Sequence, residues 1–218
     1  MTLELQALSI TAKGGARPLF PALSLQVPAD AIVTVMGASG VGKSTLLDAI
    51  AGHLAPVFRL SGRVVLDGRD LTGLPAERRG IGLMFQEAPL FPHLSVGDNL
   101  AFGLAAAVHG RAARRAAVAA ALATAGLAGY EARDPATLSG GQRARVALMQ
   151  TLLARPQALL LDEPFARLDP GLRAEIRSFV FDHVRAERIP VLMVSHDPAD
   201  ASAAGGPVVE LASARDIP

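Results

Sequence analysis

The stretch that decides the fold is Gly37-Ala38-Ser39-Gly40-Val41-Gly42-Lys43-Ser44, which fits the pattern G-x-x-x-x-G-K-[ST]. It follows a short apolar run at 31–36, typical of a strand buried on both faces, and opens a predicted helix at 43–52. In such a loop backbone N–H groups bind a β-phosphate, the lysine reaches the β- and γ-phosphate oxygens, and the hydroxyl binds Mg²⁺. The predicted nucleotide-binding residues are Gly37, Ala38, Ser39, Gly40, Val41, Gly42, Lys43, Ser44 and Thr45.

A second apolar run ends in two carboxylates, in the sequence Leu159-Leu160-Leu161-Asp162-Glu163. A carboxylate at the end of a buried strand can bind Mg²⁺ beside a nucleotide, directly or through water. We assign that role to Asp162. The adjacent Glu163 is then placed to polarise the attacking water as a general base.

Two further polar residues follow predicted strands. Gln86 comes directly after the strand at 81–85, and its amide could bind Mg²⁺ or the attacking water. His196 follows the strand at 190–195, and its imidazole could contact the γ-phosphate. In isolation each of these residues is better explained by a structural role. Their assignment depends on the two motifs above.

A second helix start has the composition of an anion site. The residues are Leu138, Ser139, Gly140, Gly141 and Gln142, with a hydroxyl at the cap position and two glycines before an apolar helical face. Helix starts with exposed N–H groups bind anions. The chain therefore carries two predicted phosphate-binding helix starts, which is one more than a single nucleotide needs.

The order of elements predicts an α/β fold with a parallel sheet, because most strands are separated by helices. Two alternating runs at 3–11 and 23–27 predict an antiparallel β part at the start of the chain. Predicted helices at 96–104, 111–125 and 140–154 interrupt the sheet, and another helix is expected at 171–187. We expect one domain over 1–218, with a core at 1–87 and 157–218 and an inserted helical part at 88–156.

Composition excludes several classes of protein. The 218 residues are 50% hydrophobic and 19% charged with a net charge of +1, which argues against a nucleic-acid partner and against disorder. There is no cysteine, so neither disulfides nor thiol chemistry are expected. No apolar run has the length of a membrane span, and the first residues do not resemble a signal peptide. We therefore expect a cytoplasmic protein.

Taken together, these motifs resemble the ABC-type ATPases, and their order matches that family across nearly the whole chain. The resemblance implies a RecA-like P-loop NTPase core with an antiparallel β subdomain and an inserted helical subdomain. It also implies ATP and Mg²⁺ as cofactors, held by Lys43, Ser44, Gln86 and Asp162. In this family the helix start at 138–142 binds the γ-phosphate held by a second subunit, and Asp169 would lie at the dimer seam. The partner is a second copy or a paralogue.

The segment from Phe85 to Val96 and the following Asn99 to Leu104 resemble bacterial importer ATPases, including those for thiamine, iron, sulfate and sugars. That resemblance implies a position at the cytoplasmic face of the inner membrane, peripheral to it. In such systems the helical insertion and the segment after Gln86 form a groove for a helix of the membrane permease. A substrate-binding protein would be an indirect partner.

Other readings of the same motifs remain open. The chain could be an ABC-type ATPase that acts on a division or assembly complex rather than on a transporter. A P-loop kinase is a further alternative, although it has no use for Glu163 beside Asp162 together with His196. The resemblance favours import over export without deciding between them.

Overall fold

The computed structural model describes residues 1–15, 17–86, 90–166 and 168–213. These residues form two compact units. The first unit contains Met1–Leu83, Gln157–Glu163 and the described residues from His183 onward. The second contains Met84–Pro156 and Pro164–Asp182. The predicted boundary between a core and an inserted helical part stays a prediction.

The antiparallel part is a four-stranded sheet in the first unit, with the order β2-β1-β4-β5. Its strands are β1 (Thr2–Ala12), β2 (Leu23–Pro28), β4 (Phe58–Leu66) and β5 (Arg69–Asp70). β1 pairs antiparallel with both β2 and β4. Leu3, Leu5, Leu8 and Ile10 of β1 are buried, so this strand presents one apolar face to the core.

The second sheet has five strands in the order β6-β7-β8-β3-β9. They are β3 (Ile32–Met36), β6 (Ile81–Met84), β7 (Ala158–Asp162), β8 (Val191–Val194) and β9 (Val208–Glu210). β3 pairs parallel with β8 and β9, and β7 pairs parallel with β8. Parallel pairing places the carboxyl ends of β3, β7 and β8 at one edge of the sheet.

Helix α1 (Lys43–Ala51) belongs to the first unit and buries an apolar face that includes Leu46, Leu47 and Ile50. The short helix α6 (Pro198–Ala204) lies in the same unit. The helices α2 (Val96–Phe102), α3 (Arg111–Thr124) and α4 (Gly140–Leu153) lie in the second unit. Helix α5 (Pro170–Glu187) begins in the second unit.

The predicted fold class is confirmed, with a parallel sheet, an antiparallel sheet and helices in the expected order. Two differences are informative. Strand β4 begins at Phe58 rather than at 63, because its first half pairs with β1 although its side chains are mostly polar or exposed. Helix α6 was not predicted, although Asp197 followed by Pro198 is a typical helix start. In the described part of the chain no helix is both long and apolar enough to cross a bilayer.

Helix α1 is anchored at its carboxyl end by a buried arginine. Arg79 is 5% exposed, and its guanidinium donates hydrogen bonds to the carbonyls of Ala49 (2.9 Å) and Ile50 (2.8 Å). It also donates to the carbonyls of Thr72 (3.0 Å) and Leu74 (2.9 Å). The last carbonyls of a helix have no intrahelical partner and carry partial negative charge, so a cation there both satisfies and stabilises them.

We expect Arg79→Met to lower the free energy of unfolding by about 2–4 kcal/mol, because it leaves buried carbonyls without donors. The neighbouring Arg78 is exposed and serves as the matched control. Arg78→Met should change stability by less than about 0.5 kcal/mol. Urea denaturation of the two variants measures the difference. Equal stability of the two variants would contradict the anchoring role of Arg79.

Candidate functional site

The phosphate loop joins β3 to α1, and its glycines are required by the backbone path. A side chain at Gly37 would place its Cβ 2.6 Å from the carbonyl oxygen of Leu211. Gly42 has a φ of 106°, in the left-handed region, and precedes the first helical residue. Among the residues that the structure describes, no side chain caps the start of α1. The N–H groups at this helix start are therefore left for an anion.

Lys43 is 5% exposed, and its ammonium already lies inside the loop. Its Nζ donates to the carbonyl oxygens of Gly37 (2.8 Å) and Ala38 (3.1 Å). The same Nζ lies 3.7 Å from Oε1 of Glu163. A compact cation held at this place can serve the phosphate oxygens of a nucleotide bound in the loop.

Asp162 ends β7, and its Oδ1 accepts a hydrogen bond of 3.0 Å from the hydroxyl of Ser44. Burial is the largest influence on this carboxyl and raises its pKa, while the hydrogen bond from Ser44 lowers it. The charges of Glu163 and Asp48 raise the pKa further, and the charge of Lys43 lowers it without cancelling the rise. Asp162 is thus a carboxylate whose charge lacks full compensation from the protein, as expected where a cation binds.

Glu163 has an unusual backbone conformation, with a φ of 41°. A residue other than glycine in the left-handed region is strained, and such residues are frequent at functional sites. Its backbone N–H donates to the carbonyl of Val194 at the end of β8 (3.0 Å). The strained turn therefore holds the carboxylate beside the strand that leads to His196.

His196 lies directly beyond β8, and its Nδ1 is 3.1 Å from Oε2 of Glu163. The histidine side chain is 58% exposed, whereas that of Glu163 is 18% exposed. The structure therefore brings together three of the predicted site residues, with Glu163 between Lys43 and His196. A carboxylate between a lysine and an imidazole, next to a phosphate loop, can activate water against a bound phosphoryl group.

The side-chain oxygens of Asp162 and Ser44 are suitable ligands for a magnesium ion. Mg²⁺ is bound in nucleotide sites through one or two carboxylates, hydroxyls and phosphate oxygens rather than by a cage of protein ligands. A carboxylate oxygen and a hydroxyl lie within 3.0 Å of each other here. No cluster of three or more His, Asp and Glu side chains suited to a metal occurs among the described residues.

The second helix start belongs to α4 in the second unit, and its own side chains cap it. The hydroxyl of Ser139 accepts a hydrogen bond from the N–H of Gln142 (3.2 Å), and Oε1 of Gln142 accepts one from the N–H of Ser139 (3.0 Å). This capping box leaves the hydroxyl proton of Ser139 available for an acceptor outside the chain. A side chain at Gly141 would place its Cβ 2.8 Å from Leu172, so α5 packs closely against α4 here.

The structure also describes two further predicted site residues. Gln86 is exposed after β6, and Asp169 is exposed before α5, both in the second unit. Their roles stay predictions. Sequence reasoning did not find Asp48, whose charge acts on Asp162. Asp48 follows Ser44 by four residues in α1, and this spacing, which places both on one helix face, was the available signal.

Comparisons with known proteins identify the family of this chain. The ABC transporter family model matches residues 20–166. The ABC transporter ATP-binding protein YnjD of Escherichia coli (strain K12) is 54% identical over 175 residues, which are 78% of this chain and 80% of that protein. The thiamine import ATP-binding protein ThiQ of Chelativorans sp. (strain BNC1) is 45% identical over 199 residues, which are 91% of this chain and 78% of that protein.

A solved structure extends the comparison to the three-dimensional fold. The dimeric post-hydrolysis structure of the ATP-binding cassette MJ0796, bound to ADP and Pi, matches with a TM-score of 0.80 at 27% sequence identity. The match covers 96% of this chain and 94% of the other. The family expected from the motifs is thus confirmed by a match over more than half of the chain and by two close relatives. The chain belongs to the ABC transporter family and is one of its ATP-hydrolysing subunits.

Proposed function

We propose that this chain powers a bacterial ABC importer by hydrolysing ATP between two ATPase subunits that close around nucleotide and reopen after hydrolysis. The observation that carries the proposal is the cluster at the edge of the parallel sheet. There Glu163 contacts Lys43 on one side and His196 on the other. Relatives named for the import of thiamine, sulfate and Fe(3+) ions support the direction of transport.

In the proposed reaction a water molecule attacks the γ-phosphorus of ATP while the bond to the bridging oxygen of ADP breaks. Glu163 takes a proton from the water, and inorganic phosphate and ADP are the products. Lys43 exchanges its contacts with the loop carbonyls for phosphate oxygens and stabilises their charge. His196, whose Nδ1 lies 3.1 Å from Oε2 of Glu163, contacts the γ-phosphate.

Ser44, Gln86 and Asp162 would hold Mg²⁺ at this site. The ion would supply positive charge to the β- and γ-phosphate oxygens. The hydrogen bond between Ser44 and Asp162 already aligns two of these ligands. The ion would also compensate the buried charge of Asp162. Burial raises the pKa of this carboxyl.

We assign the second helix start to the nucleotide of the partner subunit. The capped start of α4 consists of Leu138, Ser139, Gly140, Gly141 and Gln142. Ser139 and Gly140 are exposed there, and the Ser139 hydroxyl retains a proton to donate. In a two-fold dimer, the phosphate loop of one chain can face the α4 start of the other, so that both together bind one nucleotide. The exposed Asp169 would lie at the seam of that dimer. The partner is a second copy or a paralogue.

A groove for the membrane permease is supported by a cavity of about 500 Å³ in the second unit. It is lined from α2 by Asp98 and Ala101, and from α3 by Arg111, Arg115 and Val118. A lining that combines apolar surface with charged side chains suits a short amphipathic helix of a partner protein. The permease would hold this subunit at the cytoplasmic face of the membrane, and a substrate-binding protein would select the cargo.

We expect Glu163→Gln to lower kcat for ATP hydrolysis by about 10²–10⁴-fold, because the amide cannot accept the proton of water. The variant should still bind ATP and accumulate as an ATP-bound dimer. Phosphate release and size-exclusion chromatography with ATP measure the two effects. Glu187 is exposed on α5, so Glu187→Gln is the matched control and should retain the wild-type rate. Turnover of Glu163→Gln at the wild-type rate would show that another group is the base.

We expect Asp162→Asn to raise the melting temperature of the nucleotide-free protein. Because folding raises the pKa of this carboxyl, its ionised form opposes folding at neutral pH, and the neutral amide removes that cost. The Asn oxygen can still accept from Ser44. Affinity for Mg²⁺ in the presence of ATP should fall at least about tenfold.

Differential scanning fluorimetry without nucleotide, and Mg²⁺ titration of ATP hydrolysis, measure the two effects. Asp30 is exposed in the turn before β3, and Asp30→Asn should leave both quantities unchanged. A lower melting temperature for Asp162→Asn would contradict this account, because it would mean that the attraction of Ser44 and Lys43 for the ionised carboxylate outweighs the cost of its burial.

A further inference from the structure

Two polar side chains near His196 in the sequence are buried, although the sequence motifs assign neither of them a role in the site. Ser195 is 1% exposed and Asp200 is 3% exposed. Burial of a carboxyl costs free energy that only hydrogen bonds recover, and an apolar side chain would avoid that cost. The presence of Asp200 at this place calls for a reason beyond packing.

Ser195 is the centre of a small network. Its hydroxyl donates to Oδ2 of Asp200 at 2.7 Å and accepts from the backbone N–H of Asp197 at 3.1 Å. Its own backbone N–H donates to the carbonyl of Val35 in β3 at 3.2 Å. Ser195 is therefore tied both to the strand that leads into the phosphate loop and to the residue after His196.

Asp197, which follows His196, is held by the start of helix α6. Its Oδ1 accepts from the N–H of Ala199 (2.9 Å) and caps α6. The N–H of Asp200 donates to its carbonyl (3.0 Å). Both neighbours of His196 in the chain are thus held, while the His196 side chain itself is exposed and reaches Glu163.

We infer that Asp200 is a positioning residue for ATP hydrolysis. Through the buried hydroxyl of Ser195 it holds the backbone on both sides of His196, and so keeps the imidazole at Glu163 when nucleotide is bound. The inference rests on the proposed roles of His196 and Glu163. A misplacement of about 1 Å at a reacting centre can cost about 10²-fold in rate, so a device of this kind has a measurable effect.

A double-mutant cycle tests the inference, with Asp200→Ala, His196→Ala and both together. Hydrolysis is measured under single-turnover conditions, so that slow rates can be determined. Each rate is normalised to the concentration of ATP-binding sites, which corrects for unfolded protein. We expect Asp200→Ala to lower the rate about 10–100-fold in the wild-type background. In the His196→Ala background the same change should cost less than about twofold, because its effect passes through the missing imidazole.

Matched variants separate positioning from packing. Asp200→Asn keeps an oxygen that can accept from Ser195 and should restore most of the rate lost in Asp200→Ala. Ser195→Ala removes the same hydrogen bond with a smaller change in volume. Combined with His196→Ala, it should give the same pattern of rates as Asp200→Ala, and it provides the test if Asp200→Ala folds poorly. Ser202 is exposed on α6, and Ser202→Ala should leave the rate unchanged.

The inference would be overturned if Asp200→Ala and Ser195→Ala each lowered the hydrolysis rate by the same factor in the wild-type and His196→Ala backgrounds. The proposed role of His196 would not be affected by that result. A wild-type rate for His196→Ala would instead remove the proposed role of His196, and the inference with it. The two failures are therefore distinguishable from one set of variants.

Discussion

The parallel pairing of β3, β7 and β8 is the constraint on which the site depends. It brings three strand ends to one edge of the sheet, and each strand is followed by one of the groups that contact one another. β3 leads to the loop that holds Lys43, β7 ends in Asp162 and Glu163, and β8 precedes His196. A one-residue slip in either pairing would turn these side chains to the other face of the sheet. The buried, apolar strands oppose such a slip, because each register change would expose part of the core.

The charges at this edge are arranged for a nucleotide rather than for stability alone. The ammonium of Lys43 contacts two loop carbonyls and one carboxylate oxygen. Asp162 accepts a hydrogen bond from the hydroxyl of Ser44 and feels the charge of Lys43, yet burial raises its pKa. Glu163 retains a strained backbone that an ordinary strand end would not require. The fold therefore carries electrostatic and conformational costs at the place where phosphate and a divalent cation would offset them.

Much of the site could be predicted because it is local in sequence. The phosphate loop, the carboxylates after an apolar run and the α4 start each lie within ten residues, and their backbone context follows from strand and helix periodicity. Arg79 and Asp200 could not be predicted, because their burial depends on groups such as Ala49 and on the packing of α6. Strand β4 was predicted too short because pairing with β1, not its own apolar pattern, extends it to Phe58. The proposed role of Ser139 at a partner's nucleotide depends on a second subunit, so the periodicity and motifs of one chain do not reveal it.

That in-trans role is tested most directly by mixing two inactive variants. Lys43→Ala loses the phosphate loop and Ser139→Arg blocks the α4 start, but a mixed dimer pairs the intact loop of one chain with the intact helix start of the other. The proposed dimer predicts that an equal mixture recovers up to about a quarter of wild-type ATPase activity. A mixture of Lys43→Ala with Glu163→Gln should recover no activity. Lys43 and Glu163 of one chain serve the same nucleotide, so each of the two sites in the mixed dimer carries one of the substitutions. If the first mixture stays as inactive as its separate variants, the two helix starts do not serve each other across a dimer.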